Sequence, residues 1–526
     1  MARCPYCVSL NPSGSSICNT CGRFMLGARG MSTRVGMDIP ASGTQYRARK
    51  GPPPGVGANR GRKRRDPKKK KNRRTLALAV AIAFLFLFTP AQDKIKYQLG
   101  EWKDDLMEEL SGYREYPVAV SYSVEKHVTL DNVENREVWF NYRLPIPIER
   151  TERGIWGDGF EMDSGADYSA HNIQHIESMD IRVQTNPPSN SETVVPIPLE
   201  TSVYRTVDNA IDMGTTQIFW PQVGDGMDRC SVGKCVIWEG DIAAQTTVTL
   251  IARFEVSASS FSWWEDSGIT SRVDRSPSGF SASIDNSGNF EDITRSGYLS
   301  TMHGQFGIHK KWYDRDTGSG ENYAINGQDS SITSLASEIR ASLDADEQDN
   351  VYAFSESAFN HIYNEIVYDT GLQGNARSGP KCIADGRGDC DEQSNAWMSL
   401  LRVYGISAWY EFGPMTDAGF GDWEPHAWAN VLIPLDEDWC ESEGIDVYSS
   451  CFVEASVDVV NNKWLLHTPT SFTQWIEQPS TLGEGAYKFY RPLISNGSPG
   501  MWGEEWTTVG DVEITGGSYE ISAWVE

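Results

Sequence analysis

Gly388–Asp389–Cys390–Asp391–Glu392–Gln393–Ser394–Asn395–Ala396–Trp397 is the stretch on which the fold turns, with Pro425–His426–Ala427–Trp428 a short way downstream. Asp389 is a good helix N-cap, and Asp391 and Glu392 suit a first helical turn. Leu400, Leu401 and Tyr404 then carry an apolar face to Gly405, a stop signal. The spacing predicts a helix opening at Cys390. There the unpaired N–H groups and the helix dipole favour a thiolate, and can bring a cysteine pKa from about 8.5 into the range of roughly 3.5–7.5. Asp391 and Glu392 work against this, so the thiol needs a histidine partner.

His426 is the best candidate. It opens Ala427–Trp428–Ala429–Asn430–Val431–Leu432–Ile433–Pro434, whose β-branched and aromatic content before a proline reads as a strand. A second apolar run, Cys451–Phe452–Val453–Glu454–Ala455–Ser456–Val457, sets a carboxylate in mid-strand, where an unpaired charge is costly. Cysteine on a helix start, histidine on one strand and a carboxylate on the next make nucleophile, base and orienting acid.

At these residues the chain resembles the transglutaminase-like catalytic core, a papain-related cysteine acyl-transfer fold. The family pattern has G-x-C opening a helix that ends before a G-I-x-A strand, then H-A-W-x-x-V, then an Asp-containing strand followed by a small pair. This sequence supplies Gly388–Asp389–Cys390, Gly405–Ile406–Ser407–Ala408, His426–Ala427–Trp428–Ala429–Asn430–Val431 and Glu454–Ala455–Ser456. Glu454 stands where the family has Asp, and Asp458 is the alternative carboxylate. Upstream, Ile332, Leu335 and Ile339, then Phe359, Ile362 and Ile366, recur at helical intervals.

The resemblance implies an α+β core with Cys390, His426 and Glu454 as catalytic residues, needing no cofactor. It also implies a thioester formed on a protein or peptide substrate and passed to water or to an amine. Hydrolysis of peptide or carboxamide bonds is slightly favoured, because water is present at about 55 M and no dedicated amine site is evident. The competing reading is a catalytically inactive binding module or a transmembrane adaptor.

The whole chain of 526 residues suggests three or four folded units. Cys4, Cys7, Cys18 and Cys21 form C-x2-C-x10-C-x2-C, a spacing that suits one tetrahedral structural Zn²⁺, so residues 1–26 are expected to be a zinc ribbon able to recruit a cytoplasmic protein partner. Residues 27–74, rich in Gly, Pro, Ser, Arg and Lys, read as a disordered basic linker. Residues 75–91 carry an uncharged apolar run, read as a transmembrane signal anchor whose basic flank contacts the lipid bilayer and stays inside. The expected topology is a single-pass cell-membrane protein with a cytoplasmic N-terminus and the catalytic region outside.

Beyond the anchor the sequence predicts a juxtamembrane helix at 92–114, an antiparallel β-sandwich at 115–260, a loop-rich connection at 261–330, the catalytic core at 331–478 and a C-terminal β segment at 479–526. Cys230 with Cys235 and Cys440 with Cys451 read as disulfides of an oxidising compartment. Cys382 is either a buried free thiol or a reversible partner for Cys390. His171 and His175 read as surface histidines rather than metal ligands.

Charge divides the chain. Residues 1–74 carry +16, leaving −42 for the remainder of a formal total of −26. An outer part so acidic disfavours polyanionic partners, so nucleic acid is not the expected substrate, and it suits a saline medium that screens the self-repulsion.

Overall fold

Apolar side chains at alternate positions build the first half of the protein. In Tyr113–Asn132 (β1), Val120, Tyr122, Val124, Val128 and Leu130 all turn inward and are buried. The computed structural model describes residues 2–3, 10–11, 113–147, 150–151, 172–186, 193–222 apart from 201, 234–264, 281–312 apart from 302, 323–369, 376–448, 451–477, 492–495 and 501–522. Ala2–Arg3 pairs antiparallel with Leu10–Asn11, and the four ribbon cysteines lie outside the described residues. So do the linker, the apolar run of 75–91 and the predicted juxtamembrane helix, apart from Tyr113 and Arg114, which open β1. Among the described residues no helix is long and apolar enough to cross a membrane.

Five more strands complete the frame of the β domain: Val138–Pro145 (β2), Asn172–Asn186 (β3), Thr216–Phe219 (β4), Cys235–Ile242 (β5) and Thr246–Ser259 (β6). One sheet runs through β1, β6 and β3, and the other through β2, β5 and β4. Their inner faces share one apolar core in which Phe140 packs edge-on against Trp238, so the predicted antiparallel sandwich is present. His175 lies on β3, and His171 is outside the described residues.

The second half begins with two capped helices. Asp329 caps Ser330–Ser342 (α1) and Asn350 caps Val351–Glu365 (α2), each side chain accepting a backbone N–H of the first turn. They pack against Cys390–Tyr404 (α3), whose Trp397 is wholly buried and donates its indole N–H to the Ser355 carbonyl at 3.1 Å. A four-stranded antiparallel sheet follows. Ala408–Thr416 (β7) and Trp423–Pro434 (β8) form its centre, with Phe452–Val457 (β9) beside β8 and Trp475–Ile476 (β10) beside β7.

Two expectations change. Residues 261–330 are not a simple connection, because the described parts pack into the core of the second half: Trp263, Tyr298 and Phe306 are buried there, and the Tyr298 hydroxyl donates to the Leu432 carbonyl at 2.9 Å. The expected C-terminal β segment is not separate either. Leu493–Ser495 (β11) joins β2, while Met501–Thr508 (β12) and Glu513–Ser522 (β13) both pair with β1. Hydrophobicity along the chain reveals strands but not their partners, so a strand several hundred residues from its neighbour reads as a separate segment.

The two halves meet through the tip of the β7–β8 hairpin. Phe420 and Trp423 enter the sandwich core against Tyr122, and the Trp423 indole N–H donates to Thr508 Oγ1 at 2.8 Å. Gln174 makes a reciprocal pair with the Thr473 backbone, donating at 2.8 Å and accepting at 2.7 Å. These contacts fix the start of β8, three residues before His426.

Candidate active site

Local chemistry makes the Cys390 helix start firm. Asp389 accepts the Glu392 N–H while Glu392 accepts the Asp389 N–H, a complete capping box, and Gly405 closes the helix in the left-handed region at φ 89°. Arg377 grips Glu392 with its guanidinium at 2.9 and 3.0 Å and gives the same carboxylate its backbone N–H at 2.9 Å. The acid nearest the helix interior is thereby neutralised.

Cys390 is not an electrostatically favoured thiolate. Burial, Asp391, Asp389 and Asp458 push its thiol well above the ordinary range, and an N–H from Ala427 opposes them. The same Ala427 contact fixes the geometry: the sulfur of α3 faces the backbone of β8 at the residue beside His426. Among the described residues, Asp389, Cys390 and Asp391 carry donor atoms within 4.8 Å of one another.

His426 pairs with Asp458. Its Nε2 lies 3.0 Å from Asp458 Oδ2, and both side chains are almost fully withdrawn from solvent. Burial alone would raise the Asp458 carboxyl, but His426, Lys463 and an Asn461 N–H outweigh it and hold the group well below the usual carboxylate range.

Glu454, the first choice for the orienting acid, does not meet His426. Its carboxylate lies 3.4 Å from His303 Nδ1, and the His303 ring stacks on Trp409 at 4.2 Å. Strand register gives the reason. Glu454 stands opposite Leu432, six residues along β8 from His426, a separation of about 20 Å at the usual rise per residue. The pairing of Ala429 with Val457 carries the next residues of the chain towards His426, which brings Asp458 to it. The orienting position therefore passes to Asp458.

Sequence reading missed Asn461, Lys463 and Met415, which surround the Asp458 turn; nothing in their spacing sets them apart. Cys382 is a buried free thiol, pushed up to about 12 by burial and then by Glu392, and it packs beneath Gly388. Cys440 and Cys451 are disulfide-bonded, with Cα atoms 6.0 Å apart. Cys235 is also disulfide-bonded, and Cys230 lies outside the described residues.

Residues 334–443 match the transglutaminase-like superfamily model, a span that contains α3, Cys390 and His426. None of the curated proteins compared matches the chain. Among solved structures, one described as a candidate cysteine protease from Cytophaga hutchinsonii is 13% identical, covering 78% of this chain and 99% of its own, with a TM-score of 0.37. Another, a candidate protease from Parabacteroides distasonis, is 10% identical, covering 70% of this chain and 72% of its own, with a TM-score of 0.17. The chain thus carries a transglutaminase-like domain at 334–443, and Cys390 and His426 both lie within it.

Proposed function

We propose that the protein is a cysteine-dependent acyl-transfer enzyme that opens peptide or carboxamide bonds through a thioester on Cys390, water being the favoured acceptor. One observation carries this reading: His426 is held by Asp458 at 3.0 Å while the neighbouring Ala427 N–H reaches the Cys390 sulfur. With Nε2–H donated to Asp458, Nδ1 is the basic nitrogen. The raised thiol favours proton transfer during attack rather than a standing ion pair. The S–H proton passes to His426 as sulfur bonds to the carbonyl carbon, and the imidazolium protonates the departing amine as the C–N bond breaks. Water then attacks the thioester with His426 as base, returning the thiol and a carboxylic acid. Asp458 stabilises the imidazolium in both steps.

The second reading, a binding module that keeps the fold without chemistry, draws its support from the same raised thiol. Turnover of casein and of a γ-glutaminyl peptide by the full chain, compared with Cys390→Ala, separates the two. Loss of all turnover with an unchanged melting curve supports the enzyme. Equal turnover in the variant overturns it.

The N-terminal region extends the proposal. Cys4, Cys7, Cys18 and Cys21 would hold one structural Zn²⁺, and the antiparallel pairing of Ala2–Arg3 with Leu10–Asn11, segments that flank Cys4 and Cys7 in the sequence, is compatible with such a ribbon. The apolar run within 75–91 would anchor the chain in a cell membrane, with the ribbon inside and the catalytic half outside. Equilibrium metal content of the purified chain and protease protection in inverted vesicles test these assignments.

A further inference from the structure

The turn that carries Asp458 is built more elaborately than an orienting carboxylate alone requires. Asp458 and Lys463 exchange backbone hydrogen bonds, each 2.9 Å, and close a four-residue loop in which Asn462 sits at φ 53°. Inside the loop, Asn461 folds back on the acid. Its backbone N–H reaches Asp458 Oδ1 at 3.3 Å, and its amide donates to Asp458 Oδ2 at 2.8 Å, 3.4 Å from His426 Nε2.

Lys463 is 1% exposed. Its ammonium donates to Thr468 Oγ1 at 2.7 Å, lies 3.7 Å from Met415 Sδ, and sits over the Tyr116 ring of the β domain at 4.9 Å. A buried ammonium is costly unless a nearby anion compensates it, and Asp458 is an anion within its field.

We propose that Asn461 and Lys463 are positioning residues of the active site: Asn461 fixes the rotamer of the Asp458 carboxylate, and Lys463 supplies a permanent counter-charge that sets the protonation of the Cys390–His426 pair. This rests on the acyl-transfer reading above. Among the described residues, Asp458 meets the imidazole directly, Lys463 and Cys390 interact with Asp458, Asp389 and Asp391 of α3 with Cys390, and Tyr368 of the short strand Val367–Tyr368 with Cys390, Asp389, Asp458 and Glu424 of β8. Apart from Lys463 these are acids, or neutral groups that become anions. Lys463 therefore offsets a strongly negative surround. Its removal adds one net negative charge near the pair, and the Cys390 thiol becomes harder to deprotonate.

The first test needs no substrate. Iodoacetamide alkylation of Cys390 in the full chain, followed by peptide mass spectrometry from pH 5 to 10, reads the pair directly. Lys463→Met should move the alkylation midpoint upward by about half to one pH unit. Lys463→Arg, which keeps the charge, should restore it. Asn461→Ala should slow alkylation across the whole range, and lower kcat more than it raises KM.

A role confined to holding the turn would lower the rate and the melting temperature of Lys463→Met yet leave the midpoint in place, and that result overturns the proposal. Should Lys463→Met fail to fold, Lys463→Gln reads the same midpoint with a polar side chain of similar length. If wild-type Cys390 is not alkylated at any pH, the acyl-transfer reading itself fails. If it is alkylated and the lysine variants leave the midpoint unmoved, only the present inference falls.

Discussion

His426 Nε2 and Asp458 Oδ2 lie 3.0 Å apart, at the end of a sheet where Glu454, four residues earlier in the chain, is turned to His303 instead. Two acids close in sequence therefore have separate duties, one beside the imidazole and one in the core. Asp458→Asn should lower kcat by about 10²- to 10⁴-fold with little change in KM, as when a catalytic histidine loses its carboxylate. Glu454→Gln should leave kcat within about tenfold of wild type, and its effect should appear in the melting temperature, since it weakens a buried pairing with His303. Steady-state kinetics and thermal melts of the two variants decide the assignment. Equal losses of kcat would contradict it.

Asp391 follows the nucleophile directly, and burial together with Asp391 and Asp389 raises the Cys390 thiol. Removing one of those charges must favour the thiolate. Asp391→Asn should move the alkylation midpoint of Cys390 to lower pH, while costing the helix about 0.3–1 kcal/mol for the lost first-turn acid. The direction is opposite to that expected for Lys463→Met, so the pair of variants brackets the wild type. Competitive alkylation across pH measures it.

Glu356 on α2 gives a pH effect away from the site. Burial pushes its carboxyl up to about 7, and the Tyr352 hydroxyl, 3.5 Å away, only partly opposes this. The folded protein holds this proton more tightly than the unfolded chain. The group's contribution is thus complete below about pH 4.3, the unfolded value, and is lost as the pH rises through about 7. Glu356→Gln should raise the melting temperature at pH 8 and leave it nearly unchanged at pH 4. A uniform effect at both would rule the argument out.

Arg377 binds Glu392, which is 2% exposed, and also reaches Asp385 at 2.5 Å. Arg377→Ala would strand a buried carboxylate beside the capping box of α3. The expected cost is about 3–5 kcal/mol, read by chemical denaturation. Glu392→Gln in the Arg377→Ala background should recover part of it, because the stranded charge is then gone.

The proposed nucleophile and base were legible as candidates because their signals are local. Asp389, Glu392 and Gly405 write the limits of α3 into a few residues, and the strand at His426 follows from its own composition. Asp458 was only an alternative, because choosing between it and Glu454 needs the register of β9 on β8, which the long helix-containing connection between the two strands leaves open. The turn residues Asn461 and Lys463 were invisible for a similar reason: polar residues in N-N-K look like any exposed loop until the acid they serve is located. The helix-end argument for a thiolate was also incomplete. It weighed the dipole against flanking charge but could not include burial, which is the largest influence on the thiol.

The pairing of β12 and β13 with β1 joins the last described strands to the first strand of the β domain. During synthesis the catalytic half is therefore made before the sheet it leans on can be finished. Trp423, which steadies the approach to His426, waits for Thr508, some 85 residues later. A nascent chain halted before residue 501 would hold its cysteine and histidine without the brace that aligns them, so competence at the site is coupled to completion of translation through those strands.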